Sequence, residues 1–225
     1  MKKFATVIFI FTALLSAKSQ DSSRVFFDVI LNKGAGFELQ DINYNRVGLP
    51  TSELIYYSFG GGTALDGRIG VNLFSGFALS ASGNYRLVYI SKSENFGNAK
   101  NKSRASIALK SASSTLHYSL RTKTPDLWLT GATFGAGADY YFPSTLRRIK
   151  NTETLDDLPY KETTGFHLEA MLTFLLFPED NIEMMLGIKY HYVSYDAKET
   201  PDREVLNEVD GQGLDFRIGI RGGLF

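Results

Sequence analysis

The 225-residue chain contains no cysteine. That excludes a disulfide framework, a thiolate metal site and a lipid anchor on a modified cysteine. It also lacks net charge, with 24 Lys+Arg against 24 Asp+Glu. Without a basic surplus there is no electrostatic footprint for nucleic acid, and no such partner is expected. Long hydrophobic runs are missing too. The apolar stretch from Phe4 to Leu15 falls short of the roughly 20 residues a transmembrane helix needs. Lys2 and Lys3 precede it, and Ala17 and Ser19 follow at small-residue positions. This arrangement predicts a secretory signal peptide over residues 1–19, leaving 20–225 as one domain.

What the chain does have is aromatics, with Phe 17 and Tyr 12, and a hydrophobic content of 44% at a mean hydropathy of −0.11. Such values suit strands of which only every second residue faces lipid. Period-two alternation predicts eight strands, near 24–39, 54–73, 77–89, 106–121, 127–142, 165–177, 182–195 and from Leu214 onward. The third is the cleanest: Phe77, Leu79, Ala81, Tyr85, Leu87 and Tyr89 alternate with Ser80, Ser82, Asn84 and Arg86. The fourth is the weakest, because its Ala/Ser-rich start also fits a helix or a loop.

The connections alternate in length. Those at 73–76, 121–126 and 177–181 are tight and built from turn formers. Those at 40–53, 91–105, 143–164 and 196–213 are longer, polar and charged. Short turns on one side and long loops on the other are the pattern of a membrane β-barrel, and an even strand count puts both ends on the short-turn side. Aromatics are expected in two girdles. One holds Phe26, Phe27, Phe74, Phe77, Trp128, Phe174 and Phe177. The other, at the long-loop end, holds Tyr44, Tyr56, Tyr57, Tyr89, Tyr140, Tyr141, Phe142, Tyr190 and Tyr192.

In an eight-stranded barrel the interior is just wide enough for side chains to fill. The polar faces of the strands place a charge network there: Asp66, Arg68, Arg86, Glu169, Glu183, Lys189, Asp215 and Arg217. Opposite charges can pair in such a space, while an unpaired one is costly, so a plugged lumen is expected.

The final strand, LDFRIGIRGGLF, alternates up to an aromatic carboxyl terminus. With the leader and the loop pattern, it makes the chain resemble the small outer-membrane β-barrel proteins of Gram-negative bacteria, of the outer membrane protein A, X and W types, often grouped as a porin family. The resemblance implies an all-β fold, an eight-stranded antiparallel up-and-down transmembrane β-barrel in the cell outer membrane. It also implies that Phe225 is an assembly signal read by the barrel-assembly machinery. Phe225 departs from the pattern, since it falls on the face opposite Phe216, Ile218 and Ile220. A bulge at Gly222–Gly223 would restore the register.

Chemistry is weakly marked. A Ser–His–acid site could draw on His191, Ser194 and Glu169 or Asp196, but His191 and Ser194 are three positions apart and point to opposite faces of a strand. The histidines His117, His167 and His191 lie on different strands without metal-ligand spacing. The glycines at 60–62, 131, 135 and 137 lack the lysine and helix of a phosphate loop and suit crowding in a narrow barrel. A basic patch at Lys92, Lys100, Lys102 and Arg104 is suited either to lipopolysaccharide phosphates or to plain solvation. The acids Asp196, Glu199, Asp202, Glu204, Glu208 and Asp210 lack the spacing of a calcium loop. The expectation is therefore a non-enzymatic barrel with a structural, surface-binding or envelope-assembly role, without catalytic residues, metal or cofactor. A narrow solute channel and a lipid-modifying enzyme are the alternatives. A soluble lipocalin-like barrel would carry an early Gly-x-Trp, and the single tryptophan here is Trp128.

Overall fold

The computed structural model describes residues 25–36, 60–96, 99–121, 128–150, 153–177, 182–196 and 208–224. Outside them lie residues 1–24 with the expected signal peptide, Phe225, the stretch 37–59 with Tyr44, Tyr56 and Tyr57, the turn residues 122–127 and 178–181, and Glu199, Asp202 and Glu204. Among the described residues there are eleven strands: β1 (Val25–Gly36), β2 (Gly62–Asn72), β3 (Phe77–Phe96), β4 (Ala99–Arg121), β5 (Leu129–Tyr141), β6 (Ser144–Lys150), β7 (Glu153–Tyr160), β8 (Thr163–Phe177), β9 (Ile182–Asp196), β10 (Glu208–Asp210) and β11 (Gly213–Leu224). Eight of them close a ring in the order β1, β2, β3, β4, β5, β8, β9, β11, with every pairing antiparallel. Closure leaves no barrel edge, so every strand of the wall is paired on both sides. Among the described residues no helix is long and apolar enough to cross a membrane; a barrel crosses with strands.

The wall is inverted relative to a soluble protein. On β1, Phe27, Val29 and Leu31 are exposed, while Asp28 and Asn32 are buried. The same pattern recurs on β11, where Phe216, Ile218 and Ile220 face out and Asp215, Arg217 and Arg221 face in. Strand propensity and position agree here, because β-branched and aromatic side chains fill the outward set, while paired polar residues share the inward set with a small apolar cluster of Ile30, Met171 and Met185.

Higher on the wall this polarity reverses. The inward positions of β4 change from Ser111, Ser113, Thr115 and His117 to Ile107 and Leu109, all of them buried. On β3 the next inward residue beyond Arg86 is Val88, again buried. β4 has 23 residues, roughly 75 Å of chain at about 3.3 Å per residue. A membrane strand needs only about 9–11 residues. Its upper part, at Ile107 and Leu109, therefore has an apolar interior face.

That reversal corrects the sequence reading at several places. Residues 91–96 and 99–105 are strand, not loop: β3 pairs with β4 without interruption from Phe77↔Tyr118 to Phe96↔Ala99. The Ala/Ser-rich start of the fourth strand is likewise strand. The segment 143–164 contains the β6–β7 hairpin, with β6 pairing on to β4 from Ser103↔Lys150 to Ile107↔Leu146. The last long connection contains β10, paired to β9. The second strand does not run continuously from 54, since Gly60 and Gly61 are not strand and β2 begins at Gly62. No bulge interrupts Gly222–Gly223, which continue the β1 register as Phe27↔Gly222 and Phe26↔Gly223.

Two aromatics assigned to girdles lie inside instead. Phe26 shares the face of Asp28 and is buried with its ring under the Arg221 guanidinium, 4.2 Å from the ring centroid. Tyr141 shares the face of Asp139 and is buried too. Trp128, Phe74 and Phe177 at the short-turn end are exposed, as are Tyr89, Tyr140 and Phe142 at the other. At the first tight turn, Leu73 N–H donates to the Phe77 carbonyl at 2.8 Å, and Gly76 takes φ 85°, a left-handed value that suits glycine.

Candidate functional site: the charged lumen

The strand register itself assembles the lumen. Cross-strand neighbours of opposite charge form one row from β9 to β2: Glu183 opposite Arg221, Arg221 opposite Asp28, Asp28 opposite Arg68. A second row runs Glu169, Lys189, Asp215 from β8 to β11. Opposite charges directly across a ladder attract, and here they do so away from water. In the first row Arg221 forks onto Asp28, with Nε to Oδ1 at 2.8 Å and Nη2 to Oδ2 at 2.9 Å. Arg68 Nη1 stands 3.6 Å from the same carboxylate.

Longer reaches across the lumen tie the rows together. Arg217 donates to Asn32 at 2.7 Å through Nε, to Glu169 through Nη1 and to Asp66 through Nη2. Arg68 donates to the same Glu169 oxygen at 2.8 Å. Asn84 donates to Asp66. Arg86 forks onto Asp215 and also donates to the Gly60 and Gly61 carbonyls at 3.2 and 3.1 Å. These glycine carbonyls hold the upper end of an arginine.

Two histidines brace the opposite wall. His117 faces Glu169 with Nδ1 at 3.2 Å and Ser80 Oγ with Nε2 at 2.7 Å. His167 faces Asp139 with Nδ1 at 2.9 Å and Thr115 Oγ1 with Nε2 at 3.0 Å. Ser113 donates to Asp139, and Lys189 Nζ lies 3.8 Å from it. Gly135 and Gly137 on β5 make room for these rings. A Cβ at Gly135 would lie 2.7 Å from the Glu169 side chain, and one at Gly137 would lie 2.5 Å from the His167 ring.

Acid, imidazole and hydroxyl in line are the parts of a nucleophilic site. Here Ser80, Thr115 and both imidazoles are buried at 3% exposure or less, sealed within the network, so they serve as struts. The other candidate triad does not assemble. His191 faces Asp215 with Nδ1 at 3.6 Å, Ser194 alternates to the other side of β9, and Glu169 is held by Arg68 and Arg217. Among the described residues, no group of three or more His, Asp or Glu could hold a metal ion. His117, His167 and His191 each face a different carboxylate.

Charge balance follows from the composition of the lumen. Among the described residues, the buried charged side chains are Asp28, Asp66, Asp139, Glu169, Glu183 and Asp215 against Arg68, Arg86, Lys189, Arg217 and Arg221. The odd acid, Glu183, lies at the short-turn end within 3.7 Å of the exposed Arg121. Each other acid meets at least one cation inside, which offsets the desolvation that would otherwise expel it. The sequence reading omitted Asp28, Asp139, His117, His167 and Arg221 from the network, although all share the inward alternation.

Above the charges sits an apolar plug of Val88, Ile107, Leu109, Leu146 and Val193 with Tyr141, Tyr160 and Tyr195. Tyr195 meets Tyr141 at 5.5 Å and Tyr160 at 6.3 Å, both edge-on, the favoured aromatic geometry. The basic patch stands on this upper wall. Lys92 is opposite Ser103, Lys100 opposite Asn95, Lys102 opposite Ser93, and Arg104 opposite Ser91 and Ile149.

No family model matches the chain, and no curated protein matches it either. Among solved structures it is similar to Neisserial surface protein A, at 13% identity and a TM-score of 0.44, covering 89% of this chain and 96% of that one. It is also similar to the N-terminal β-barrel domain of Pseudomonas aeruginosa OprF, at 12% identity and a TM-score of 0.44, covering 90% and 98%. The barrel assignment rests on the strand pairings described above and not on these likenesses.

Proposed function

We propose that the chain is an integral outer-membrane barrel with a sealed lumen, non-enzymatic, whose working surface is its outer end. The observation that carries this reading is the inversion of the wall. Large apolar side chains such as Ile69, Leu168 and Phe216 are more than half exposed, while charged partners such as Asp215 and Arg217 are at most 3% exposed. In water that arrangement would expose a broad apolar surface and desolvate charges to no benefit. In lipid it satisfies every requirement of a closed wall. The plug of tyrosines and aliphatics above the ion pairs supports a structural or surface-binding role over conduction. Lipid and lipopolysaccharide around the barrel, and the assembly machinery at its last strand, are the partners this reading implies.

The test is refolding of the full chain into phospholipid vesicles, followed by flotation and gel migration with and without boiling. Vesicle-bound protein that migrates differently before and after boiling supports a membrane barrel. Protein that stays soluble and shows no shift would sink the reading.

A further inference from the structure

We propose that His191 triggers an acid-released latch at the upper end of the lumen, the latch being the Gly60–Gly61 segment that Arg86 holds.

One carboxylate oxygen faces two rival donors. Arg86 Nη2 bonds Asp215 Oδ2, and His191 Nδ1 stands 3.6 Å from the same atom. The other arm of the guanidinium, Nη1, donates to Asp215 Oδ1 at 3.0 Å and to the Gly60 and Gly61 carbonyls at 3.2 and 3.1 Å. Arg86 therefore fastens the segment that leads into β2 onto β11. Among the described residues, Asp215 is the carboxylate it pairs with. The segment is pressed close to the imidazole as well. A Cβ at Gly60 would run into the Gln212 carbonyl, and one at Gly213 would run into the Gly60 carbonyl and lie 3.0 Å from the His191 ring.

His191 is 3% exposed, yet neither of its ring nitrogens has a hydrogen-bond partner among the described residues. Buried polar atoms are nearly always satisfied, because an unmade hydrogen bond leaves their desolvation uncompensated. His117 and His167 each reach a hydroxyl with Nε2. Their service as struts does not explain His191.

A neutral imidazole carries one N–H, whereas an imidazolium carries two and a positive charge. The charged groups acting on the ring are Arg86 on β3, Asp215 on β11, Asp139 on β5 and Lys189 on its own strand. His167 stands directly opposite on β8, with its Nδ1 already on Asp139. Tyr141, on the Asp139 face of β5, stays neutral in acid. Two acids and two cations balance around the ring, so protonation of His191 adds a cation without an acid of its own. Asp215 Oδ2 is the acceptor within reach, and the imidazolium takes it at the expense of Arg86. A guanidinium that loses this oxygen and meets a new like charge also loses its hold on Gly60 and Gly61.

Hydrogen exchange of the full chain, folded in detergent micelles, tests this between about pH 7.5 and about pH 4. After correction for the intrinsic pH dependence, amides 60–62 should exchange at least about tenfold faster in acid, while those of β1 and β8 keep their protection. His191→Gln, which cannot take the charge, should abolish the difference. A second measurement needs no variant to fold: nitrogen-15 labelling of histidine in the wild-type chain should show His191 gaining its proton over the same pH range in which the amides open. Protection of 60–62 unchanged by acid overturns the proposal. So does an acid response that persists in folded His191→Gln, or opening while His191 stays neutral.

Discussion

Arg217 and Glu169 meet across the lumen although β9 separates their strands, and Glu169 also receives a hydrogen bond from Arg68. One carboxylate thus bridges two guanidinium groups that would otherwise repel each other, with Asp66 and Asp28 supplying the remaining negative charge.

Glu169→Ala should therefore lower the unfolding free energy by about 3–5 kcal/mol, the cost of leaving buried charges uncompensated. Glu169→Ala combined with Arg217→Met should lose less than the sum of the two single changes. Urea titration in vesicles checks both. Additive losses would mean the two side chains do not act as a pair.

Gly137→Val should block the position of the His167 ring. The added Cβ would also lie 2.4 Å from the Ser114 carbonyl, which is backbone and cannot swing away. A destabilisation of at least about 1–3 kcal/mol is expected from overpacking. Gly83→Val, at an outward position where a Cβ meets nothing within 4 Å, should be tolerated. The midpoint of the heat-induced gel shift compares them.

Ile218→Arg places a charge in the middle of the exposed apolar row of β11. If that row faces hydrocarbon, the change should cost about 2–4 kcal/mol. An unaffected urea midpoint in vesicles would mean that the row is not in lipid.

Leu146 is fully buried on β6. Leu146→Ala should open the upper sheet without unseating the barrel, because β6 and β7 pair outside the eight-strand ring. Amides of β6 and β7 should exchange at least about tenfold faster while those of β1 and β11 keep their protection. Mass-resolved hydrogen exchange reads this difference directly.

The lower part of the barrel was legible because one rule governs it. On β3 from Leu79 to Leu87 and on β8 the outward set is mostly apolar and the inward set mostly polar, Met171 being an inward exception, so period-two counting finds strand and face together. The same parity assigns Phe26 to the side of Asp28 and Tyr141 to the side of Asp139; grouping aromatics by distance from the strand ends concealed it. The upper wall was not legible for a physical reason. Beyond Ser111 the inward residues of β4 are Leu109 and Ile107, so the sign of the alternation flips where the solvent changes, and a lipid-based rule reads a paired strand as a loop. The inward charges could be read from parity one strand at a time. Their partners could not, since the meeting of Arg86 with Asp215, 129 residues apart, depends on closure and shear.

The central claim is a folded membrane barrel whose lumen is sealed by paired charges beneath an apolar plug. Ion conductance of the refolded full chain in planar bilayers tests it most directly. Protein shown to be folded by its unboiled gel migration should give no discrete current steps. Reproducible steps from that same protein would contradict the sealed lumen and make Arg86, Asp215 and their neighbours the walls of a pore.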